Sequence, residues 1–233
     1  MNIITNEPLI KRNKRIAQLS MIAGLAVLGG GMYVSYKMPE QFGLSLGALI
    51  LGFGLSQLGI FFTKRWGRSP RPDELINQAL KGLDSKYTLY HYRTPTSHLL
   101  VGPGGVWVLM VRHIPGVISF SNGRWRQRGG NLYLKIFGQE TLGRPDLEIG
   151  FEMENVEKFL KRILPEEKVP PIQAALTFAH PKVEIDISPD DKPPVETVMI
   201  SKLKEVIRKT PKGKTISPEK AKEIQDAIEA NLK

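Results

Sequence analysis

Two uncharged apolar stretches near the start of the chain constrain its fold more than any other feature. They run from residue 16 to 36 and from residue 43 to 63, with a short connection between them. A helix needs about 20 consecutive apolar residues to cross the hydrocarbon core of a bilayer. A signal peptide has a shorter apolar region followed by a small-residue cleavage site, and neither feature is found here. We therefore predict a transmembrane helical hairpin over residues 16–63, with the lipid bilayer as its partner.

Basic side chains are concentrated on either side of this hairpin. The whole chain has a net charge of +10, and residues 1–72 hold nine bases and two acids, which account for +7 of that total. Loops rich in lysine and arginine stay on the cytoplasmic side of a membrane. We therefore predict a two-pass protein of the cell membrane with both termini and the folded domain in the cytoplasm. The eight flanking bases are Lys11, Arg12, Lys14, Arg15, Lys64, Arg65, Arg68 and Arg71.

Small residues at four-residue spacing occur in both apolar stretches, at Gly31 and Ser35 and at Gly43 and Gly47. Such pairs let two membrane helices approach closely. We predict that they pack the hairpin on itself, and a homo-oligomer formed through the transmembrane helices is the second interpretation. Neither stretch contains an ionisable residue, so nothing in them indicates an ion or proton pathway.

Beyond the hairpin the sequence changes to the alternation typical of an α/β domain. Helical periodicity over 73–83 precedes a series of strand-like runs, and a long amphipathic helix over 145–164 precedes two more strands. This order predicts a mixed β-sheet flanked by helices. The predicted strands are 87–93, 97–101, 105–111, 116–120, 124–128, 171–179 and 196–200. The predicted division is a basic cytoplasmic N-terminus (1–15), the hairpin (16–36 and 43–63), a linker (64–72), the α/β domain (73–200) and a C-terminal helical extension (201–233).

Several motifs of the α/β domain occur together in one known pattern. A helix bearing Glu74 is followed by the strand region SHLLVGPGGVWVLMVRHIPG, then by a strand with Trp125, and then by RPDLE ahead of the long helix. This combination resembles the NERD (nuclease-related domain) family over about residues 72–200. The resemblance implies a fold like that of the PD-(D/E)xK restriction endonucleases. The matching scaffold residues are His98, Gly102, Pro103, Gly105, Val106, Gly116, Trp125 and Pro145.

The catalytic positions implied by the resemblance are substituted. The family's aspartate falls on Ser97, its glutamate on Met110, its lysine on Arg112 and its glutamine on Glu148, and only the first-helix acid is kept, as Glu74. Metal-assisted cleavage of a phosphodiester needs hard carboxylate oxygens to hold Mg²⁺. A serine is a poor substitute, and a thioether binds softer metals. The resemblance therefore implies a nuclease-related domain without nuclease activity.

The distribution of acids leads to the same expectation without reference to any family. The run from Ser85 to Lys135 contains no aspartate or glutamate, although most of the predicted strands lie in it. Within this run, Arg112 has two interpretations: a cation that binds phosphate with its planar fork, or a strand-end arginine paired with a helix acid such as Glu74 or Glu148. We favour the ion pair, because buried charges are generally paired.

The run RWRQR is the clearest candidate for a nucleic-acid contact. Alternation along a strand sets Arg124, Arg126 and Arg128 on one face and Trp125 on the other. A basic stripe is the usual electrostatic signature of such a contact. Two other interpretations remain: a solvated edge kept from aggregating by its charge, and a contact with anionic lipid headgroups.

Metal and cofactor sites have little support. The absence of cysteine excludes disulfides and thiolate ligands. The spacing of His91, His98 and His113 fits no zinc motif, and we expect hydrogen-bonded neutral histidines. The segment at Gly102 lacks the Gly-Lys-Ser/Thr of a phosphate-binding loop and is interpreted as a turn. We predict no metal and no cofactor.

These observations favour a membrane-anchored prokaryotic protein with an inactive NERD-like domain that binds or scaffolds nucleic acid or a protein partner. An alternative keeps an enzyme: a divergent nuclease whose Mg²⁺ ligands have migrated to Glu74 and Glu148, with Arg112 in place of the lysine. A third hypothesis is a purely structural membrane protein.

Overall fold

The structure is a computed structural model that describes residues 1–67, 69–129, 141–188 and 190–232. The chain divides into two compact units. One is helical and spans residues 7–71. The other is an α/β unit made of residues 1–6 together with the chain from residue 72 onward.

Two long antiparallel helices make up the helical unit. Helix α1 spans Glu7–Lys37, and helix α2 spans Phe42–Phe62 after a short 3-10 turn at Pro39–Gln41; a π-helical turn follows at Thr63–Gly67. Both long helices have the length and apolar composition needed to cross a membrane. The second matches its predicted span within one residue, whereas the first begins nine residues early because the basic residues before it are also helical.

Glycines form the contact between α1 and α2. A Cβ atom added at Gly24, Gly31, Gly52 or Gly59 would lie only 2.6 or 2.7 Å from an atom of the opposite helix. The prediction for Gly31 is therefore confirmed. The prediction for Gly43 and Gly47 is wrong, because both face outward with nothing within 4 Å.

Within the described residues, the α/β unit has nine strands in two sheets. The larger sheet has the order β1-β2-β3-β4-β7-β9, in which β3 alone is antiparallel to its neighbours. The smaller sheet has the order β6-β5-β8. The strands are β1 (Asn2–Thr5), β2 (Thr88–His91), β3 (His98–Gly102), β4 (Gly105–Arg112), β5 (Gly116–Ser121), β6 (Arg124–Arg128), β7 (Ile172–Phe178), β8 (Val183–Asp186) and β9 (Glu196–Met199).

Helices cover both faces of the larger sheet. Helix α3 (Pro72–Ala79) and helix α5 (Leu203–Arg208) pack on one face through a buried cluster that includes Ile76, Leu109 and Ile207. Helix α4 (Pro145–Ile163) and helix α6 (Pro218–Ala230) contribute Leu160 and Ile228 to a second cluster on the other face. The C-terminal segment predicted as an extension therefore completes the core, because its apolar stripe is buried against the sheet. The mixed α/β class with flanking helices is confirmed.

Residues 2–5 form an edge strand of the larger sheet. Strand β1 pairs in parallel with β2, with Asn2 opposite Thr88 and Thr5 opposite His91. The structure thus divides the segment predicted as a basic N-terminus into a strand of the α/β unit and the first turns of α1. Four residues carry too weak an alternation to indicate a strand, and their pairing partner lies more than 80 residues away.

Candidate functional site

The candidate site lies along the border of the larger sheet that is formed by the carboxyl ends of its parallel strands. We call this border the Arg112 edge. In open α/β sheets, ligands bind outside the carboxyl ends of the strands. Strand β2 ends here at His91, β4 at Arg112 and β7 at Phe178, while α4 begins nearby with Pro145. The positions that the resemblance singles out in β4 and α4 are therefore brought to this edge.

Arg112 is held in an ion pair with Glu148. The guanidinium Nη2 donates to Oε2 of Glu148, which lies in the first turn of α4. The arginine side chain is only 14% exposed and the glutamate 49%. Backbone bonding fixes the strand end as well, because the Ala179 amide donates to the Arg112 carbonyl at 3.0 Å. This is the ion pair that the strand-end interpretation predicts, and it engages the Arg112 guanidinium with a carboxylate of the protein itself.

The other singled-out positions are divided between the two faces of the sheet. Met110 is 9% exposed and packs in the same core cluster as α4, and its carbonyl accepts from Thr177 Oγ1 at 3.0 Å. Ser97 comes just before β3, and its carbonyl accepts from the Tyr92 amide at 2.9 Å. Glu74 belongs to α3, which packs on the opposite face from α4. Glu74 and Glu148 therefore project from helices on opposite faces.

A buried polar network at this edge was not anticipated as a unit. Nδ1 of His91 lies 2.7 Å from Nδ1 of His98, and Nε2 of His91 lies 3.0 Å from Asn77 Oδ1. One of the two Nδ1 atoms must carry the hydrogen, since two unprotonated nitrogens cannot bond. Both histidines are buried, so hydrogen-bonded histidines, as expected, are found here. The signal for the pair was the hairpin register that sets His91 opposite His98.

A second contact of this edge joins the β2–β3 turn to α4, where the Thr96 hydroxyl donates to Oε2 of Glu152. Among the residues that the structure describes, no three His, Asp or Glu side chains converge as a metal site. At this edge the Glu148 carboxylate accepts from the Arg112 guanidinium, and the Glu152 carboxylate accepts from the Thr96 hydroxyl.

The arginine row of β6 is exposed as predicted. Arg124, Arg126 and Arg128 are exposed, while Trp125 on the other face is half-buried against Phe120, with the ring centroids 4.9 Å apart. An acidic row lies two strands away on β8. Register sets Ser119 of β5 opposite both Arg126 and Asp186, and sets Val117 opposite both Arg128 and Glu184. The face is therefore mixed in charge rather than basic throughout.

The strongest concentration of positive charge in the α/β unit was missed by the sequence analysis. Residues 201–214 contain six bases and one acid, Glu205. Ser201 is a typical N-cap and favours a helix through Lys209, and the charge of the segment is visible in its composition. The six bases are Lys202, Lys204, Arg208, Lys209, Lys212 and Lys214.

Comparison of the chain with protein-family models, with characterised proteins and with solved structures found no match. The resemblance to the NERD family and to the restriction-endonuclease fold therefore stays a prediction.

Proposed function

We propose that this chain is a membrane-anchored protein whose cytoplasmic α/β domain binds nucleic acid and does not cleave it. The observation that carries the proposal is the ion pair between Arg112 and Glu148. Phosphodiester hydrolysis by a metal ion requires free carboxylate oxygens that converge on one point. At this edge of the sheet the Glu148 carboxylate is bound to a guanidinium, and Met110 contributes a buried thioether where a carboxylate would be needed.

Two features of the structure support the membrane anchor. Apolar side chains of α1 and α2 point outward, with Leu25 67% exposed and Ile50 63% exposed. Water would not tolerate so large an apolar surface on a stable helical pair, whereas lipid would cover it. In addition, β1 and β2 lie on either side of the helical pair in sequence and yet share one sheet. Two membrane crossings return the chain to the side from which it started, and the flanking bases favour the cytoplasm as that side.

Nucleic acid is the partner class favoured by the charge. Phosphate contacts with lysine and arginine supply most of the affinity that does not depend on base sequence. The exposed arginine row of β6 stays one predicted contact. Arg112 is not proposed as a contact, because its guanidinium is engaged by Glu148 and its side chain is mostly buried.

A cleavage assay tests the proposal directly. The full chain in detergent is incubated with DNA and with RNA in the presence of Mg²⁺ or Mn²⁺, and binding to the same molecules is followed in parallel. We expect binding without cleavage. Cleavage that is abolished by Glu74→Ala but kept in Glu154→Ala, a control acid on the exposed side of α4, would establish the divergent-nuclease alternative instead.

A further inference from the structure

We propose that the lysine-rich segment, defined as residues 201–214, is the principal surface by which the α/β domain holds the phosphate backbone of nucleic acid. The inference rests on the proposed function, to which it adds the location of the contact. It is argued from the distribution of charge, from the rigidity of the segment and from its position in the sheet.

The distribution of charge singles out this segment. Residues 73–233 hold 24 bases and 21 acids, a net charge of +3, while the lysine-rich segment alone has a net charge of +5. The remainder of that region is therefore −2. A surface elsewhere on the domain would have to attract a polyanion against a net negative background. The β6 arginine row is one such surface, since Glu184 and Asp186 lie two strands away from it. Strands are about 4.8 Å apart, so these acids lie about 10 Å from the arginines, a distance close to one Debye length at 0.1 M salt.

The segment is a preformed surface rather than a loose tail. Leu203 and Ile207 are buried in the core cluster beneath it. Further along, the Lys214 carbonyl accepts from Gln173 Nε2 at 3.2 Å, and the Ile216 amide donates to the Pro103 carbonyl at 3.1 Å. A rigid frame lowers the entropic cost of ordering the basic side chains on a ligand.

Lys202 and Lys209 pair with Glu205, and the other four basic side chains have two different roles. Lys204 Nζ donates to the Lys81 carbonyl at 2.9 Å, and Arg208 Nη2 donates to the Gly82 carbonyl at 3.1 Å. These two bonds satisfy carbonyls in the turn that follows α3, so they hold the segment in place. Lys212 and Lys214 are exposed, and neither has an acidic group within 4 Å among the residues that the structure describes. These two lysines are available to bind phosphates.

The position of the segment favours nucleic acid over lipid headgroups. Its last residue, Lys214, accepts from Gln173 near the start of β7, at the opposite edge of the larger sheet from Arg112. The chain leaves for α1 after Asn6, whose amide bonds the His91 carbonyl, and returns at α3, whose Asn77 also contacts His91. Both connections are thus at the Arg112 edge. Eight residues of β4 separate the two edges by about 23 Å, which is more than two Debye lengths at physiological salt.

The test measures binding of the full chain, reconstituted in phosphatidylcholine nanodiscs, to a fluorescent DNA duplex over a salt series. The test variant replaces Lys209, Lys212 and Lys214 by glutamine, which leaves the capping contacts of Lys204 and Arg208 intact. A first comparison variant replaces the three β6 arginines by glutamine. A second replaces Lys158, Lys161 and Lys168, which are exposed lysines paired with glutamates elsewhere on the unit. All three variants lose the same formal charge.

We expect the slope of log affinity against log salt to fall by about 2 in the lysine-segment variant, one each for Lys212 and Lys214, because Lys209 is paired with Glu205. The arginine-row variant is expected to fall by less, and the paired-lysine variant to match the unmodified chain. Unchanged binding in the lysine-segment variant together with a loss in the arginine-row variant would overturn the inference and leave the proposed function standing. Absence of duplex binding by the unmodified chain would overturn the proposed function, and the inference with it. The lysine-segment variant is also tested for capture of phosphatidylglycerol vesicles. If it keeps duplex binding but loses vesicle capture, the segment contacts lipid and the inference is overturned.

Discussion

The ion pair between Arg112 and Glu148 makes a quantitative prediction about stability. Replacing Glu148 by glutamine removes the carboxylate beside an arginine whose side chain is only 14% exposed. Breaking a fully buried pair in this way costs about 3–5 kcal/mol, while exposed pairs contribute about 0.2–1 kcal/mol. Because Glu148 is half exposed, we expect an intermediate cost of about 2 kcal/mol. Replacing Arg112 by methionine buries an apolar chain of similar length instead, and we expect a cost of about 1 kcal/mol or less.

A double-mutant cycle separates the pair from its surroundings. The double variant Arg112→Met/Glu148→Gln should be more stable than the sum of the two single changes implies, with a coupling energy of about 1 kcal/mol. The readout is thermal unfolding of the full chain in micelles, followed by tryptophan fluorescence. A change of 1 kcal/mol corresponds to about 2–4 °C for a unit of this size. Strictly additive shifts would show that the two side chains do not stabilise one another.

The same variants test the role of Arg112 in binding. Because its guanidinium is engaged, Arg112→Met should leave the salt dependence of duplex binding unchanged. A slope lowered by about 1 with no change in stability would refute the reasoning, because it would identify Arg112 as a phosphate contact.

Three further predictions follow from other parts of the fold. Burial raises the pKa of the Tyr90 phenol well above its ordinary value of 10.0. The unfolded chain therefore loses that proton first, and the stability of the folded chain should fall as the pH rises through about 10. Tyr90→Phe should reduce this dependence of stability on pH in unfolding experiments at alkaline pH. Gly31→Leu should lower the melting temperature of the helical pair in micelles, at a cost of about 1–3 kcal/mol, because its Cβ would lie 2.7 Å from the Ala48 side chain, whereas Gly29→Leu, with nothing within 4 Å, should not. Ile4→Pro should increase hydrogen exchange in β2 more than Ile3→Pro does. The amides of Asn2 and Asn6 donate to β2, and the same alternation directs the Ile4 amide towards β2, where proline would remove a hydrogen bond.

Most regular elements of the α/β unit could be predicted from periodicity. The continuous apolar run of β4 is typical of a central strand covered on both faces, and its residues from Gly105 to Met110 are buried. Ser217 followed by Pro218 is a typical helix start, and the Ser217 hydroxyl accepts from the Lys220 amide. Such signals are local, because a few neighbouring residues determine a buried face or a helix cap.

Two strands could not be predicted because their stability comes from distant partners. Strand β1 is four residues long and pairs with β2, and β8 is equally short, contains two acids and pairs with β5. In such strands the ladder hydrogen bonds and the neighbouring side chains decide the conformation, and intrinsic preference decides little.

The candidate site was predicted in part, for a related reason. The pairing of Arg112 with a helix acid followed from the cost of burying a lone charge, and the choice of Glu148 over Glu74 required knowing which helix covers which face. The histidine pair depended on the register of a hairpin, which spacing alone does not specify. The charge of residues 201–214 was available from composition, but the position of Lys214, at the end of this segment, on the far edge of the sheet was not.

The pairing of β1 with β2 has a consequence for how the protein is made. Residues 2–5 are synthesised before both long helices, whereas their partner strand is synthesised after them. On the proposed membrane placement, the larger sheet can gain this edge strand only when the chain has crossed the bilayer an even number of times. A molecule in which one helix failed to insert would leave β1 on the wrong side and the edge of β2 uncovered. A complete sheet is therefore a sign of correct insertion. Misinserted molecules would have an unpaired edge at β2, which exposes a protein to aggregation and proteolysis.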